Sequence, residues 1–237
     1  RQAVKTLTER NPNPYDGEPL YNLGLSLKYQ GKTEEAYDFF YKACWNAAWQ
    51  DAGYYSLAQL SAARGDWEEA LYEIDKSLLR NWHNLRGRHL KAAILRHLGR
   101  KDEALALIED SLRIDRFNFG CGFEKYLITG VEADLKELLA LMRPEAHNYE
   151  ELALDYASAG CWEEALMAAE TAIGQNVSGQ TMLHYYKSWF LIQLDRKEEA
   201  LAAIREAEQQ LPDCCFPNVL EAILALQSVI GFATETP

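Results

Sequence analysis

The sequence predicts an all-α protein built as an array of stacked helix pairs. The first observation is a six-residue pattern, in which a turn residue is followed by an acidic pair and an alanine. It occurs at 31–36, 65–70, 99–104, 160–165 and 195–200. The second is its spacing of 34 residues among the first three copies and 35 between the last two, the period of a helix-turn-helix array. The third is that apolar residues recur at steps of three and four, as one-faced helices require.

Each copy of the pattern marks the turn between two helices. Glycine ends the first helix because it adopts the left-handed conformation without strain, and Asp195 takes its place in the fifth copy. The acidic pair opens the second helix, where its charge meets the positive end of the helix dipole. The small alanine lets the two helices approach closely. We therefore expect the alanines to be buried.

Composition limits the function classes. The chain has 237 residues and a net charge of −12, which disfavours binding to nucleic acid or to an anionic membrane. No apolar run is long enough to span a membrane. The five cysteines lack the spacing of a zinc site, and their odd number favours reduced thiols and a cytoplasmic location. No metal, cofactor or catalytic constellation is expected. The alternative is a reactive thiol at Cys161, if the turn in which it lies exposes it, but no histidine is assigned to it.

In chain order, Arg1–Arg10 is interpreted as the second helix of an upstream repeat, which indicates that the chain is a module of a longer polypeptide. Helices are then expected at about 18–30 and 33–46, with Asp16 as an N-cap. Between Arg116 and Pro144 the period slips, and Ala133 takes the position of the repeated alanine. Here we expect a first helix shortened to Phe123–Thr129, because the two glycines of 119–122 propagate a helix poorly.

The positions of apolar and small residues resemble the signature of the tetratricopeptide repeat (TPR) family. Ser61, Arg88 and Lys91 are departures from it. The matching residues of five units are Leu20, Leu23, Gly24, Leu27, Ala36, Phe40 and Ala43; Tyr54, Leu57, Ala58, Ala70 and Ile74; Ala92, Leu95, Ala104 and Ile108; Tyr149, Leu152, Ala153, Tyr156, Ala165 and Ala172; and Leu191, Ala200, Ile204, Ala207 and Pro212.

The resemblance implies a right-handed superhelix (α-solenoid) of antiparallel helix pairs with a C-terminal capping helix. It places the whole of 1–237 in one array. The expected units are a leftover helix at 1–14, repeats at 17–50, 51–84, 85–116, 117–145 (degenerate), 146–180 and 181–215, a capping helix at 216–230 and a disordered tail at 231–237.

In the TPR family the first helix of each repeat lines a ligand-binding groove. Carried over to this sequence, the partner-binding residues are Tyr21, Asn22, Lys28, Tyr55, Gln59, Arg86, His89, Arg96, His97, Tyr185 and Trp189. A run from Arg80 to Lys101 has seven Lys or Arg residues and no acidic residue. The flanking groove positions, Tyr55, Ser56 and Gln59, carry no charge. The run is therefore either a solvated face or a site for an acidic group on a partner, with His89 or His97 contributing as imidazolium.

The sequence is interpreted as a non-catalytic scaffold that binds a protein or peptide, or the missing remainder of its own polypeptide. The carboxylate clamp of chaperone-binding TPR proteins is rejected, since Asn22 alone fits it cleanly. The alternative is an accessory region of a carbohydrate-processing enzyme, because the chain also resembles TPR regions that trail large bacterial proteins with carbohydrate-enzyme-like front domains. That interpretation uses Tyr185, Tyr186 or Trp189 to contact the catalytic domain or stack on sugar rings.

Overall fold

The computed structural model describes residues 1–9, 11, 16–211 and 215–235, and within this part of the chain there is no β-strand. In order, its helices are α1 (Gln2–Thr8), α2 (Glu18–Lys28), α3 (Thr33–Ala43), α4 (Gln50–Ala63), α5 (Trp67–Arg80), α6 (Leu85–His97), α7 (Lys101–Ile114), α8 (Phe119–Thr129), α9 (Glu132–Met142), α10 (Ala146–Ser158), α11 (Trp162–Gly174), α12 (Thr181–Gln193), α13 (Lys197–Glu208) and α14 (Leu220–Glu235), with one turn of 3-10 helix at Ala47–Trp49.

Consecutive helices pack as pairs, and the all-α prediction is confirmed. The pairs are α2 with α3, α4 with α5, α6 with α7, α10 with α11, and α12 with α13. In α3 the apolar residues Ala36, Phe40 and Ala43 follow one another at steps of four and three, and all three are fully buried. Phe40 lies in a hydrophobic cluster with Leu27 of α2 and Leu57 of α4. The spacing of apolar residues thus directs one face of each helix into the core.

The turns within these pairs share one hydrogen-bond arrangement. In the second copy, the Gly65 N–H donates to the Ala62 carbonyl at 2.8 Å and the Asp66 N–H donates to the Ser61 carbonyl at 2.9 Å. This is the Schellman arrangement, which requires a left-handed residue after the helix. The backbone angle φ lies between 72° and 78° at the glycines of the first four copies and is 56° at Asp195. The predicted turn conformation is confirmed.

The alanine of each copy lies at a helix crossing. All five have no exposed surface: Ala36, Ala70, Ala104, Ala165 and Ala200. The acidic pairs lie in the first turns of α3, α5, α7, α11 and α13, as expected.

The chain divides into two compact units, 1–134 and 135–237. The division falls within α9, inside the segment predicted to be a degenerate repeat. The expected extent of one array and the expected repeat boundaries stay predictions.

The degenerate segment differs from expectation at its first helix. The α8 helix begins at Phe119, so the prediction that it is shortened to 123–129 is wrong. The Asn118 side chain caps it by accepting a hydrogen bond from the Cys121 N–H at 3.2 Å. Gly120 is required there, because a Cβ atom at that position would lie 2.2 Å from the ring of His89. Ala133 is exposed, so it does not occupy a buried helix crossing.

The two ends also differ in part from the prediction. The first helix is confirmed at α1, although Arg10 and 12–15 lie outside the described residues. The capping helix α14 starts at Leu220 and continues through Glu235, so helix replaces most of the tail expected from Gly231. Its apolar residues explain the extension, because Val229 and Ala225 pack against the rest of the second unit. Among the helices described, none combines the length and apolarity needed to cross a bilayer.

Candidate functional site

Several predicted groove residues of the first unit instead connect neighbouring first helices. Lys28 Nζ on α2 donates a hydrogen bond to Gln59 Oε1 on α4 at 2.8 Å. Ser56 Oγ on α4 lies 3.4 Å from the Tyr21 hydroxyl on α2. Gln59 is only 7% exposed, so most of its surface is unavailable to a partner. These contacts fix α2 against α4.

The aromatic residues at this end divide into packed and accessible groups. The ring of Tyr21 lies 5.0 Å from that of Trp49 and 5.4 Å from that of Phe40, measured between centroids. Asn22, the next residue along α2, is exposed, and Tyr55 on α4 is half-buried. Asn22 and Tyr55 therefore present side-chain surface, whereas much of the Tyr21 ring supports the local core.

The basic run is largely balanced by carboxylates within the fold. Arg96 Nε donates to Glu124 Oε2 of α8 at 2.7 Å, and the Glu124 side chain has no exposed surface. Lys91 Nζ lies 2.6 Å from Asp75 Oδ1 of α5. The expectation that only uncharged side chains flank these cations is therefore wrong, because the acidic partners come from helices on both sides of α6. A buried carboxylate such as Glu124 requires a charged partner, which Arg96 supplies.

Arg88, a departure from the family pattern, is a buried structural cation. Its Nε donates to Ser111 Oγ at 2.7 Å and its Nη2 donates to Asp110 Oδ2. Its guanidinium also lies 4.4 Å from the ring centroid of Trp82. These contacts satisfy a side chain with no exposed surface and join α6 to α7.

Arg86 and His97 remain exposed near the two ends of α6. The His97 ring stacks on Trp67, the first residue of α5, with centroids 4.1 Å apart and an interplanar angle of 2°. Its Nε2 lies 3.5 Å from Arg96 Nη2. At this end of α6, an exposed imidazole, an aromatic ring and a guanidinium therefore lie together.

His89 is not an accessible cation. It lies within the core beside Gly120, and burial, with Arg96 and Arg86 nearby, lowers the pKa of His89 to about 3. The prediction that His89 contributes as imidazolium near neutral pH is wrong. In sequence, its place within a run of basic residues concealed this burial.

The aromatic residues predicted in the second unit are mostly buried. Trp189 is 7% exposed, and Trp162 covers it edge-on with ring centroids 5.4 Å apart. Tyr186 is buried and stacks on Phe190. Tyr185 is half-buried, and burial raises the pKa of its hydroxyl. These three residues do not form the pair of coplanar exposed rings that a sugar platform needs.

Sequence reasoning missed a buried polar contact between two second helices. The Tyr37 hydroxyl of α3 donates to Glu73 Oε1 of α5 at 2.6 Å. Burial is the main cause that raises the pKa of Glu73. Arg64 lies over the Tyr37 ring, 4.7 Å from its centroid. The signal was available, since Glu73 shares a helix face with Ala70 and Ile74.

The cysteines that the structure describes are free thiols. Cys161 is buried, so its turn does not expose the thiol as a reactive role would require. Burial raises the pKa of Cys44 and of Cys121 to about 12. Protonated, enclosed thiols of this kind are poor nucleophiles. Cys214 lies outside the described residues.

Comparisons with known proteins agree with this architecture. A family model described as tetratricopeptide repeat matches 17–44 and 85–118. A thermophilic TPR protein from Thermus thermophilus is 21% identical, with a TM-score of 0.50 over 79% of this chain and 98% of that one. A tetratricopeptide repeat protein from Parabacteroides merdae is 20% identical, with a TM-score of 0.55 over 97% of this chain and 89% of that one. At these identities the solved structures establish similarity of fold.

Proposed function

We propose that this chain, which a tetratricopeptide repeat model matches at 17–44 and 85–118 and which has the fold of TPR proteins, is a non-catalytic scaffold that binds a protein or peptide segment. Repeat folds suit this role, since successive units add contacts along an extended ligand. The binding surface of the first unit is then formed by Asn22, Tyr55, Arg86 and His97, which we call the first-helix surface.

The observation that carries the proposal is that accessible side chains of different chemistry lie on three successive first helices. Asn22 on α2 and Arg86 on α6 are exposed, and Tyr55 on α4 is half-buried. The helices that carry these side chains are held in place, because hydrogen bonds between neighbouring residues connect α2 to α4 and α6 to α8. A surface held in this way loses little conformational entropy when a ligand binds.

An acidic group on the partner suits the α6 end of this surface. Arg86 and His97 are exposed on a helix that carries no Asp or Glu. Arg96 keeps 17% of its side-chain surface exposed while it pairs with Glu124. In a chain of net charge −12, this cationic end favours an acidic ligand over a basic one.

A charge reversal tests the proposal, and Arg86→Glu is better suited than Arg96→Glu because the latter breaks a buried ion pair. The ligand is selected from a library of acidic peptides and compared with the same peptide carrying Gln for Glu. We expect Arg86→Glu to weaken binding of the acidic peptide about tenfold, less so at high salt.

The matched control is Arg80→Glu, the same reversal at another exposed arginine, at the end of the second helix α5. It should leave the affinity within about twofold. Equal effects of the two reversals, or no peptide selected by the parent protein, would overturn the proposed surface. The saccharide alternative is not proposed, because two of the three aromatic residues that support it are buried.

A further inference from the structure

The α14 helix has apolar residues on its solvent side as well as on its packed side. Ala222, Ala225 and Val229 are buried in the second unit, where α14 packs against α12. On the opposite side, Leu220 is 53% exposed, Ile223 41% and Ile230 62%. A helix that is apolar all round is normally covered on all sides.

The exposed residues follow a regular spacing. Leu220, Ile223, Gln227, Ile230 and Thr234 are exposed and succeed one another at steps of three, four, three and four, and Ala233 beside Thr234 is exposed as well. We call these five residues the outer stripe. Alternating steps of three and four are the spacing of a coiled-coil seam, in which one helix packs against another along its length. The outer stripe is therefore shaped to receive a helix.

The surroundings of the outer stripe favour a helix that also lacks charge. The flanking residues Leu224, Leu226, Gly231 and Ala233 are all uncharged. Flanking charges normally select an unlike partner by interhelical ion pairs, and none is offered here. A second copy of α14 brings an equally uncharged surface. It lets two chains of net charge −12 meet away from most of their carboxylates.

We propose that the outer stripe is a homodimer interface, in which α14 packs antiparallel against the same helix of a second copy. The argument for a second copy is symmetry about Gln227, which has two stripe residues on either side. An amide both donates and accepts hydrogen bonds, so Gln227 complements itself across a two-fold axis. Ile223 then packs against the partner's Ile230, and Leu220 meets the partner's Thr234.

The size of the interface sets the expected affinity. A helix of 16 residues is about 24 Å long, so one helix pair forms a small contact. Contacts at the low end of the size range give weak, reversible association. A single polar pair at the centre also fixes register at some cost in stability. The dimer therefore forms in the micromolar range and dissociates on dilution.

Sedimentation equilibrium of the 1–237 chain, from roughly 1 to 100 µM, tests the association. We expect the mass to rise from 27.0 kDa toward twice that value. Ile223→Glu should keep it at the monomer value, since each interface would enclose two unpaired carboxylates. Gln227→Glu, a change at an exposed residue, should also keep the mass at the monomer value.

Leu79→Glu is the control, because Leu79 is 76% exposed and lies on α5. It should associate like the parent.

Disulfide cross-linking tests the direction. In the antiparallel arrangement Gln227→Cys cross-links to itself, whereas Ile223→Cys cross-links to Ile230→Cys in a mixture and neither does so alone. The parent chain, with its native cysteines, gives the background. A monomer at every concentration, or a dimer unchanged by both Ile223→Glu and Gln227→Glu, would overturn the interface. Self-cross-linking of Ile230→Cys would overturn the antiparallel packing.

Discussion

The Tyr37 hydroxyl, half-buried beside the buried Glu73, is a favourable site for measuring one polar contact. It donates to Glu73 Oε1, and no described residue hydrogen-bonds the other oxygen of that carboxylate. Hydrogen bonds to charged groups contribute more than neutral ones, so we expect Tyr37→Phe to lower the free energy of unfolding by about 2 kcal/mol. The phenylalanine ring keeps the stacking with Arg64.

A double-mutant cycle separates the hydrogen bond from other effects of Tyr37→Phe. In a Glu73→Leu background, where no carboxylate remains, the same change should cost less than about 0.5 kcal/mol. Urea unfolding followed by tryptophan fluorescence measures all four proteins. Equal costs in the two backgrounds would show that the hydroxyl does not act through Glu73.

For individual residues, the sequence predicted burial and backbone conformation correctly where these depend only on the residue's own helix or turn. The buried alanines and the left-handed glycines were correct because helix phase and backbone conformation are local properties. His89 and Gln59 were assigned wrongly because their burial is set by neighbouring helices. Gly120 of α8 allows His89 into the core, and Lys28 of α2 engages the Gln59 side chain.

Among the five repeated turns, the turn before α13 is the one with a residue other than glycine in the left-handed position. Asp195 adopts a left-handed conformation that strains most side chains, with φ of 56°. We expect Asp195→Gly to raise the free energy of unfolding by about 0.5 to 1 kcal/mol. Chemical denaturation measures the change.

Two variants make this test specific to the turn. Gly160→Asp, which introduces the same strain before α11, should destabilise by a similar amount. Lys197→Ala removes the exposed contact between Lys197 Nζ and Asp195 Oδ1 at 3.2 Å and should change little. Destabilisation by Asp195→Gly would mean that the aspartate side chain stabilises the turn.

The elements themselves were predictable where repetition identified their turns. The start of α8 was not, because its two glycines oppose a helix locally while the Asn118 cap and the contact with His89 favour it. The length of α14 was underestimated because Gly231 resembled a helix end. Inner apolar residues such as Val229 hold the helix to the second unit.

Across the whole molecule, charge balance was the property that the linear sequence concealed. The run at 80–101 contains no acidic residue, yet Asp75, Asp110 and Glu124 bring carboxylates to its cations. These partners are 16 to 28 residues distant from them in the chain. A count of neighbouring charges therefore overestimates the positive potential that a folded repeat protein presents to a ligand.

The two units also share a source of acid sensitivity, because each encloses a histidine. Burial lowers the pKa of His89, beside Arg96 and Arg86, to about 3, and burial also lowers the pKa of His184, which has Glu206 and Lys187 nearby. In the unfolded chain both histidines have a pKa of about 6.5, so below that pH the unfolded chain binds more protons than the folded chain. The stability that these two histidines contribute is therefore complete above about pH 6.5 and decreases as the pH falls through the interval below it. For His89 alone, the free energy of unfolding should fall by about 2 kcal/mol between about pH 7 and about pH 5.

Urea unfolding at the two pH values measures this change, and His89→Asn should flatten the pH dependence. His147→Asn, the same change at an exposed histidine, is the control variant. An identical slope for parent and His89→Asn would mean that His89 does not remain neutral in the folded chain.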